Sequence, residues 1–544
     1  MLSARLRFLL LGVLGAILAG LLFVPGLGGS FLLDDESTIT DNPAIQITSL
    51  DGGGLTRAAY SYAAGGGTRP LPMATFAIDY WRAGMDPRAF KTTNILIHIL
   101  TTLALACFFR SLLTAAGWTP QRAVYAAPAL ALAWAIHPMQ VSSVLYVVQR
   151  MQTMGTLFLV LALWAYLKMR RAQIVGERSR HYGILTGLAW VLALASKEDS
   201  ILFPAYTLAM ELTVLRFHAA QPGLAKGLRR GYLFATLVGA AALLLGVLPH
   251  YWSSGPYHYR DFSSIERLLT QGRVLAMYLG QILLPLPSRL PFYYDDLIIS
   301  RSWLQPVSTL PALLLICGTL LLAWRLRARR PLFALGVLLF FAGHFITSNV
   351  LNLELAFEHR NQFPLIGAVL AIGDLLADAF TRLRLHRRFA VGTCAIVLLA
   401  LGGMTLLRAQ TWGSPLDFAR ESSRIAPLSE RAWTTLCRTN FELSGGKPGN
   451  PRFDDAVNAC EAGASLSYGA SNLASLTVLK TIKGEATPAD WALLQKRMQQ
   501  VTMTPSNIGV AWYLARYSNG DSRIDARNVM PIIDIVSKRE GFRP

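Results

Sequence analysis

The stretch RLRFLLLGVLGAILAGLLFVPGLGGSFLLDDESTITDNP, residues 5–43, runs from two arginines through an apolar segment into three consecutive acids, Asp34, Asp35 and Glu36. A helix crosses the hydrocarbon of a bilayer with about 20 apolar residues, 17 at the short end, and Phe8 to Val24 approach that length. The run is longer than the apolar region of a signal peptide and no A-x-A-like cleavage site follows it, so it reads as a retained anchor. Arg5 and Arg7 before it place the N-terminus in the cytoplasm by the positive-inside rule, and the acids then emerge on the outer side.

The rest of the chain repeats this pattern. In 544 residues, 53% are hydrophobic, 15% are charged, and the mean hydropathy is +0.39, more apolar surface than one soluble core can hide. The net charge of +19 does not point to nucleic acid, because many basic residues sit in short loops between apolar runs and not on one exposed domain. Apolar runs near 8–25, 93–113, 123–137, 153–169, 182–195, 200–216, 231–249, 308–324, 331–347, 364–380 and 389–407 are expected to be about 11 transmembrane helices. Every second connection is basic: KMRRAQIVGERSR (168–180), RFHAAQPGLAKGLRR (216–230), WRLRARR (324–330) and RLRLHRR (382–388). These face the cytoplasm, which leaves the C-terminus and two longer loops, about 26–92 and 250–307, outside.

The segment IERLLTQGRVLAMYLGQILLP (265–285) is interrupted by Arg267, Gln271, Arg273 and Gln281, and reads as an amphipathic helix lying on the outer surface. After Leu407 no further span occurs. Residues 408–544 alternate charge with helical apolar spacing, as in RAWTTLCRTNFEL and ADWALLQKRMQQV, and predict a separate soluble helical domain. The predicted class is therefore all-α, a transmembrane domain over 1–407 followed by a helical domain over 408–544. Cys437 and Cys460 are the cysteines of that second domain, and the sequence leaves open whether they are bonded.

The acidic stretch has two readings, a solvated helix end and a general base at the membrane surface. Polar motifs recur at the outer ends of other spans: TRPLPMATFAIDY (68–80), TTNILIHIL (92–100), AIHPMQVSSVLYVVQRMQ (135–152), ASKEDS (195–200) and LELAFEHRNQFP (353–364). Ionisable groups at bilayer depth are costly and usually face an interior cavity, so several on one face point to one site.

This ordered set, DDxxxI..NP, RPL..TF, N-x-x-x-H, HP.Q...V.Y...R, SKE and FEHRN.FP, resembles the GT-C glycosyltransferases over roughly residues 8–410. It is most similar to the transmembrane and tetratricopeptide-repeat O-mannosyltransferases and their bacterial homologues. The resemblance implies transfer of a sugar from a polyprenyl-phosphate carrier to a protein or an envelope glycan or lipid outside the cytoplasm. It implies that Asp34 is the catalytic base, with Asp35 orienting the acceptor. Arg and Lys suit a phosphate leaving group, and the candidates are Arg360 and Lys197 first, then Arg150, His359 and Arg69. Glu36, His137, Glu198, Glu358, His98 and Asp295 are candidate lining residues. A bacterial inner membrane, with the helical domain in the periplasm, is the expected location, because the helical domain shows only fragments of tetratricopeptide repeats.

Structural roles stay open for most of these. Lys197 with Glu198 reads equally as an interfacial pair, and Glu358, His359 and Arg360 as a helix-end network. Arg150 reads also as the partner of an acid on another span. His137, before Pro138, fits a helix end, and Asn94 and His98, one turn apart, fit interhelical hydrogen bonding. Metal dependence, sugar, acceptor and oligomeric state are not legible. Competing functions are a lipid-linked substrate transporter or flippase, a non-catalytic scaffold for the helical domain, and an oligosaccharide transferase using a pyrophosphate carrier.

Overall fold

The computed structural model describes residues 3–62, 68–252, 257, 260–466 and 468–539. Parts of the two expected outer loops, 63–67 and 253–256 with 258 and 259, lie outside the described residues. Helices dominate the described chain, and their starts are written locally. A polar cap followed by proline recurs at Asp86–Pro87, Thr119–Pro120, Ser414–Pro415, Asn450–Pro451 and Thr504–Pro505, and in each the cap side chain accepts a backbone N–H of the first turn. The cap satisfies an otherwise orphaned donor, and proline loses nothing where no intrahelical acceptor exists.

Among the described residues, seven helices are long and apolar enough to cross a membrane: Ala4–Gly28, Pro87–Ala115, Val147–Val175, Pro222–Trp252, Thr309–Leu326, Pro364–Arg382 and Arg387–Trp412. The chain is thus an all-α polytopic membrane protein. The other four expected spans are shorter helices, Pro120–Ala135, Arg180–Leu194, Phe203–Met210 with its continuation to Leu215, and Pro331–Gly343. Polar turns at His137, Ser196 and His344 follow the ends of three of these helices.

The membrane core is packed around Trp134, Leu105, Phe108, Val160, Leu163 and Leu365, drawn from four helices. Pro331–Gly343 and Pro364–Arg382 cross with their backbones in contact. A Cβ on Gly336 would lie 2.4 Å from the Gly367 carbonyl oxygen, and the converse distance is also 2.4 Å. Small residues allow such an approach where lipid offers no hydrophobic drive between helices. By contrast, Pro222–Ala241 buries none of its residues.

The basic loops share one face: Ala220 N donates to Gln173 O (3.0 Å), and Arg216 Nη2 donates to Ala328 O (2.7 Å). The acidic loop lies on the other, here termed the Asp34 face.

The amphipathic segment forms helix Ser264–Leu283, but its polar side is not turned to water. Arg267, Gln271 and Gln281 are buried. Arg267 donates to the carbonyls of Asn349 (2.9 Å), Leu353 and Thr347 (3.1 Å), and Gln271 to that of Leu355 (2.8 Å). The non-helical chain of 347–357 exposes carbonyls that need donors, and this helix supplies them.

Beyond Trp412, helices Glu430–Leu443 and Pro451–Ala464, Ser471–Lys483 and Pro488–Gln500, and Pro505–Gly520 and Ala526–Lys538 pair in sequence around a second apolar cluster that includes Phe453, Leu479, Trp491, Leu494 and Ile532. A disulfide joins Cys437 to Cys460, Cα–Cα 5.2 Å, and closes the first pair.

Candidate functional site

The acidic loop is built around Asp35. Its two carboxylate oxygens accept the backbone N–H groups of Leu32 (2.9 Å) and Val148 (2.6 Å), and the residue has no exposure. Burial raises its carboxyl to about 7, against the pull of those two donors and of Lys91. Lys91 itself donates to the carbonyls of Gly26 (3.2 Å) and Gly29 (2.8 Å), tying the end of the first helix to the same knot. Asp35 therefore anchors the loop, buried between its two backbone donors, where the sequence led us to expect a residue open to the acceptor.

Asp34 is turned the other way. Its backbone N–H donates to the Tyr146 hydroxyl (2.9 Å) while the residue stays exposed. The surrounding protein raises its carboxyl above the usual carboxylate value, opposed by the Tyr146 hydroxyl and Arg431, reinforced by Glu354 and opposed again by Arg69. Leu33, just before it, has φ +41, a left-handed conformation unusual for a bulky residue. Such strain persists where the surroundings over-determine it, often at functional sites.

A cluster of cations, here called the recess, lies on the same face. Arg69 forms a bidentate pair with Glu198 (2.9–3.1 Å) and covers the Tyr62 ring at 4.4 Å. Lys197 Nζ donates to Gln152 Oε1 (2.5 Å). Burial lowers the amine to about 8; Asp199 opposes this and the charges of Arg69 and Arg360 add to it. Arg360 donates to Glu354 O (2.6 Å) and lies 5.4 Å from the Phe357 ring. His359 stacks on Phe357, with ring centroids 4.9 Å apart, and stands 6.2 Å from Tyr146. Burial and the cations Lys197, Arg360 and Arg69 hold its imidazole well below the ordinary value. A neutral ring thus sits among three positive groups, of which one, Arg69, also bears on Asp34.

The remaining candidates are used elsewhere. Arg150 is fully buried. It pairs with Asp79 (2.5 Å), donates to Asn94 Oδ1 (2.8 Å) and Phe90 O (2.8 Å), and lies over the Phe76 ring. Its donors are committed to the helix bundle, so it does not belong to the recess. His98 bonds Ala135 O (3.0 Å) between Phe23 and Trp134. His137 spends both nitrogens, one on Ile282 O (3.1 Å) and one on Met139 N–H (3.3 Å). Glu358 is buried against Arg408 (2.6 Å), which also binds the carbonyls of Pro138 and Leu290. These four are buried and bonded to the helix bundle, apart from the cations around His359.

Glu36 and Asp295 hold the helical domain in place. Glu36 pairs with Arg438 (2.5 Å), and Asp295 accepts from Ser429 Oγ (2.6 Å) and from Arg431. Sequence reading missed Tyr146, Gln152, Asp79, Arg408 and Arg431. Asp79, one acid in an apolar helix, and Arg408, one base near the end of the last span, carried a signal in their isolation. Among the described residues no group of three or more His, Cys, Asp or Glu side chains is arranged to hold a metal.

Fold and site together define an integral membrane protein with a carboxylate and a cluster of cations at one membrane face. Over 192 residues the chain is 27% identical to human protein O-mannosyl-transferase TMTC4, covering 33% of this chain and 26% of that protein. It is 29% identical to human protein O-mannosyl-transferase TMTC1 over 164 residues, and 25% identical to mouse protein O-mannosyl-transferase TMTC2 over 150, each covering 28% of this chain and 17% of the relative. The chain thus spans about a quarter or less of the length of these curated relatives. No protein-family model and no solved structure matches.

Proposed function

We propose that this protein is a GT-C type glycosyltransferase that moves a sugar from a polyprenyl-phosphate carrier to an acceptor at the outer face of the membrane. The observation that carries this reading is the placement of exposed Asp34 beside a recess that gathers Arg69, Lys197, His359 and Arg360. The similarity to O-mannosyl-transferases supports the same reaction class.

In this reading Asp34 takes the proton of an acceptor hydroxyl as its oxygen attacks the anomeric carbon. The bond from that carbon to the carrier phosphate breaks, and the phosphate leaves with the electron pair toward Lys197, Arg360 and Arg69. A base with a raised pKa is better matched to a neutral medium than an ordinary carboxylate, and partly buried cations stabilise a departing phosphate more strongly than exposed ones. Tyr146 fixes the backbone of the base, and Asp35 fixes the loop. The carrier's tail needs apolar surroundings, and a cavity of about 440 Å³ lined by Val274, Met277, Leu297, Ala312 and Leu315 offers them.

The test compares wild type with Asp34→Asn in cells, by intact-mass analysis of envelope proteins and lipid-linked sugars. Loss of a fixed sugar mass from an acceptor, with the lipid-linked sugar accumulating, supports the transferase. Unchanged glycosylation by a normally inserted variant removes Asp34 as the base.

A further inference from the structure

The first turn of helix Arg150–Val175 stands behind two cations of the recess. Arg150 locks that turn to the bundle through Asp79, Asn94 and Phe90. The next two residues each bring a side chain to a cation: Met151 Sδ meets Arg69 Nη1 (2.9 Å), and Gln152 Oε1 accepts from Lys197 Nζ (2.5 Å). Gln152 is 3% exposed and Lys197 is half-buried. The lysine is held at its root as well. Its backbone N–H donates to Ala193 O (2.9 Å), and a Cβ on Gly155 would lie 3.4 Å from Lys197 Cβ, so the helix backbone rests against the start of the lysine stem. Ser200 fixes the same turn, donating to Ala193 O (3.1 Å) and accepting from Trp190 Nε1 (2.9 Å). An amide offers an acceptor and donors on one planar tip. The Gln152 side chain also bonds the carboxyl of Asp199, so swinging away from the ammonium would break a second bond.

We propose that Gln152 is a positioning residue, which holds the flexible Lys197 ammonium in one place so that it meets the carrier phosphate already oriented. This rests on the reading of the recess as the phosphate site. A lysine carries a compact charge on a flexible four-carbon stem, and a loose one would lose that freedom at the moment the phosphate binds. One anchored at root and tip has lost it on folding. The ammonium has three donors, of which Gln152 takes one. The titratable groups around it are Asp199 and Glu198 from its own turn, with Arg69, Arg360 and His359 from other segments. Gln152 is the neutral partner in direct contact.

The full-length protein in lipid nanodiscs is acetylated with acetic anhydride across a pH series. Mass spectrometry reads the half-point at which the Lys197 amine becomes reactive, relative to exposed Lys447. An acceptor bonded to an ammonium favours the charged form, so Gln152→Met, similar in size and without that acceptor, is expected to lower the half-point by about half a pH unit. Gln152→Glu keeps an acceptor oxygen at the same reach and should hold the half-point at or above the wild-type value. An unmoved half-point in Gln152→Met, or an equal fall in Gln152→Glu, would overturn the proposal, because a residue that only packs changes the extent of labelling and not its half-point. If Gln152→Met does not fold, Gln152→Asn, whose oxygen falls one methylene short, decides in the same way. Binding of farnesyl phosphate, a short polyprenyl monophosphate, completes the test. Gln152→Met should weaken it about fivefold when Lys197 is present and less than about twofold in Lys197→Met, since residues that act through one another are not additive. Equal losses in both backgrounds overturn the positioning role. Farnesyl phosphate bound equally by wild type and Lys197→Met would fail the phosphate reading instead, and acetylation, which needs no phosphate, still reads whether Gln152 holds the amine.

Discussion

Arg150 and Asp79 meet at 2.5 Å with their side chains 0% and 4% exposed, joining helix Pro70–Ala83 to helix Arg150–Val175. Breaking a buried ion pair from one side leaves an uncompensated charge and costs about 3–5 kcal/mol, whereas replacing both partners with apolar residues is often close to neutral. Arg150→Met is expected to lower the thermal unfolding temperature in detergent, and the double variant with Asp79→Leu to recover much of the loss. A variant that unfolds normally but binds donor weakly would return Arg150 to the recess.

The proposed reaction predicts a dependence on pH at both ends. As the proposed base Asp34 would act only when deprotonated, and its raised pKa would then cost activity as pH falls through a value above the ordinary carboxylate range. As a proposed phosphate ligand Lys197 would act only when protonated, and its amine, depressed to about 8, loses its charge as pH rises through that value. A bell-shaped profile of sugar transfer is expected. Lys197→Arg, whose charge does not titrate in this range, should remove the alkaline limb and leave the acid limb in place.

Arg267 holds the carbonyls of Thr347, Asn349 and Leu353 with one guanidinium. A lysine ammonium lacks that rigid fork, so Arg267→Lys should loosen the chain leading to Arg360. Faster amide exchange across 347–357 and a higher KM for donor, with a smaller change in kcat, are expected. Unchanged exchange would show that the helix does not position this loop.

The Cys437–Cys460 bond closes a loop of 23 residues, and a disulfide over a loop of that order contributes about 3 kcal/mol. Reduction, or Cys437→Ser with Cys460→Ser, should lower the unfolding transition of the helical domain and leave that of the membrane domain in place. Calorimetry in detergent with and without reductant reads this directly.

Asp34, Arg69, Lys197, His359 and Arg360 stand out in the sequence because each lies in a polar motif at the end of an apolar run, and the last four lie close enough to bear on one another's charge, with Arg69 also bearing on Asp34. Asp35, Arg150, His98, His137 and Glu358 carry the same residue types in equally conspicuous motifs, yet are buried and bonded within the bundle. Periodicity gives a residue's place along and around a helix, but not whether its partner is another helix or a ligand. Asp35 shows the limit most plainly, since one step along the chain separates an exposed carboxylate from one enclosed by two backbone donors. Two expected spans run past the ends of their helices, at His137 and His344, because apolar residues continue into the turns that follow.

Helix Pro222–Ala241, which buries none of its residues, is joined to the bundle through Tyr232, whose hydroxyl meets that of Tyr166 at 2.7 Å. With so little protein packed against it, this helix has few contacts to fix its tilt, so membranes of different thickness are expected to hold the same protein with this one helix at different angles about Tyr232.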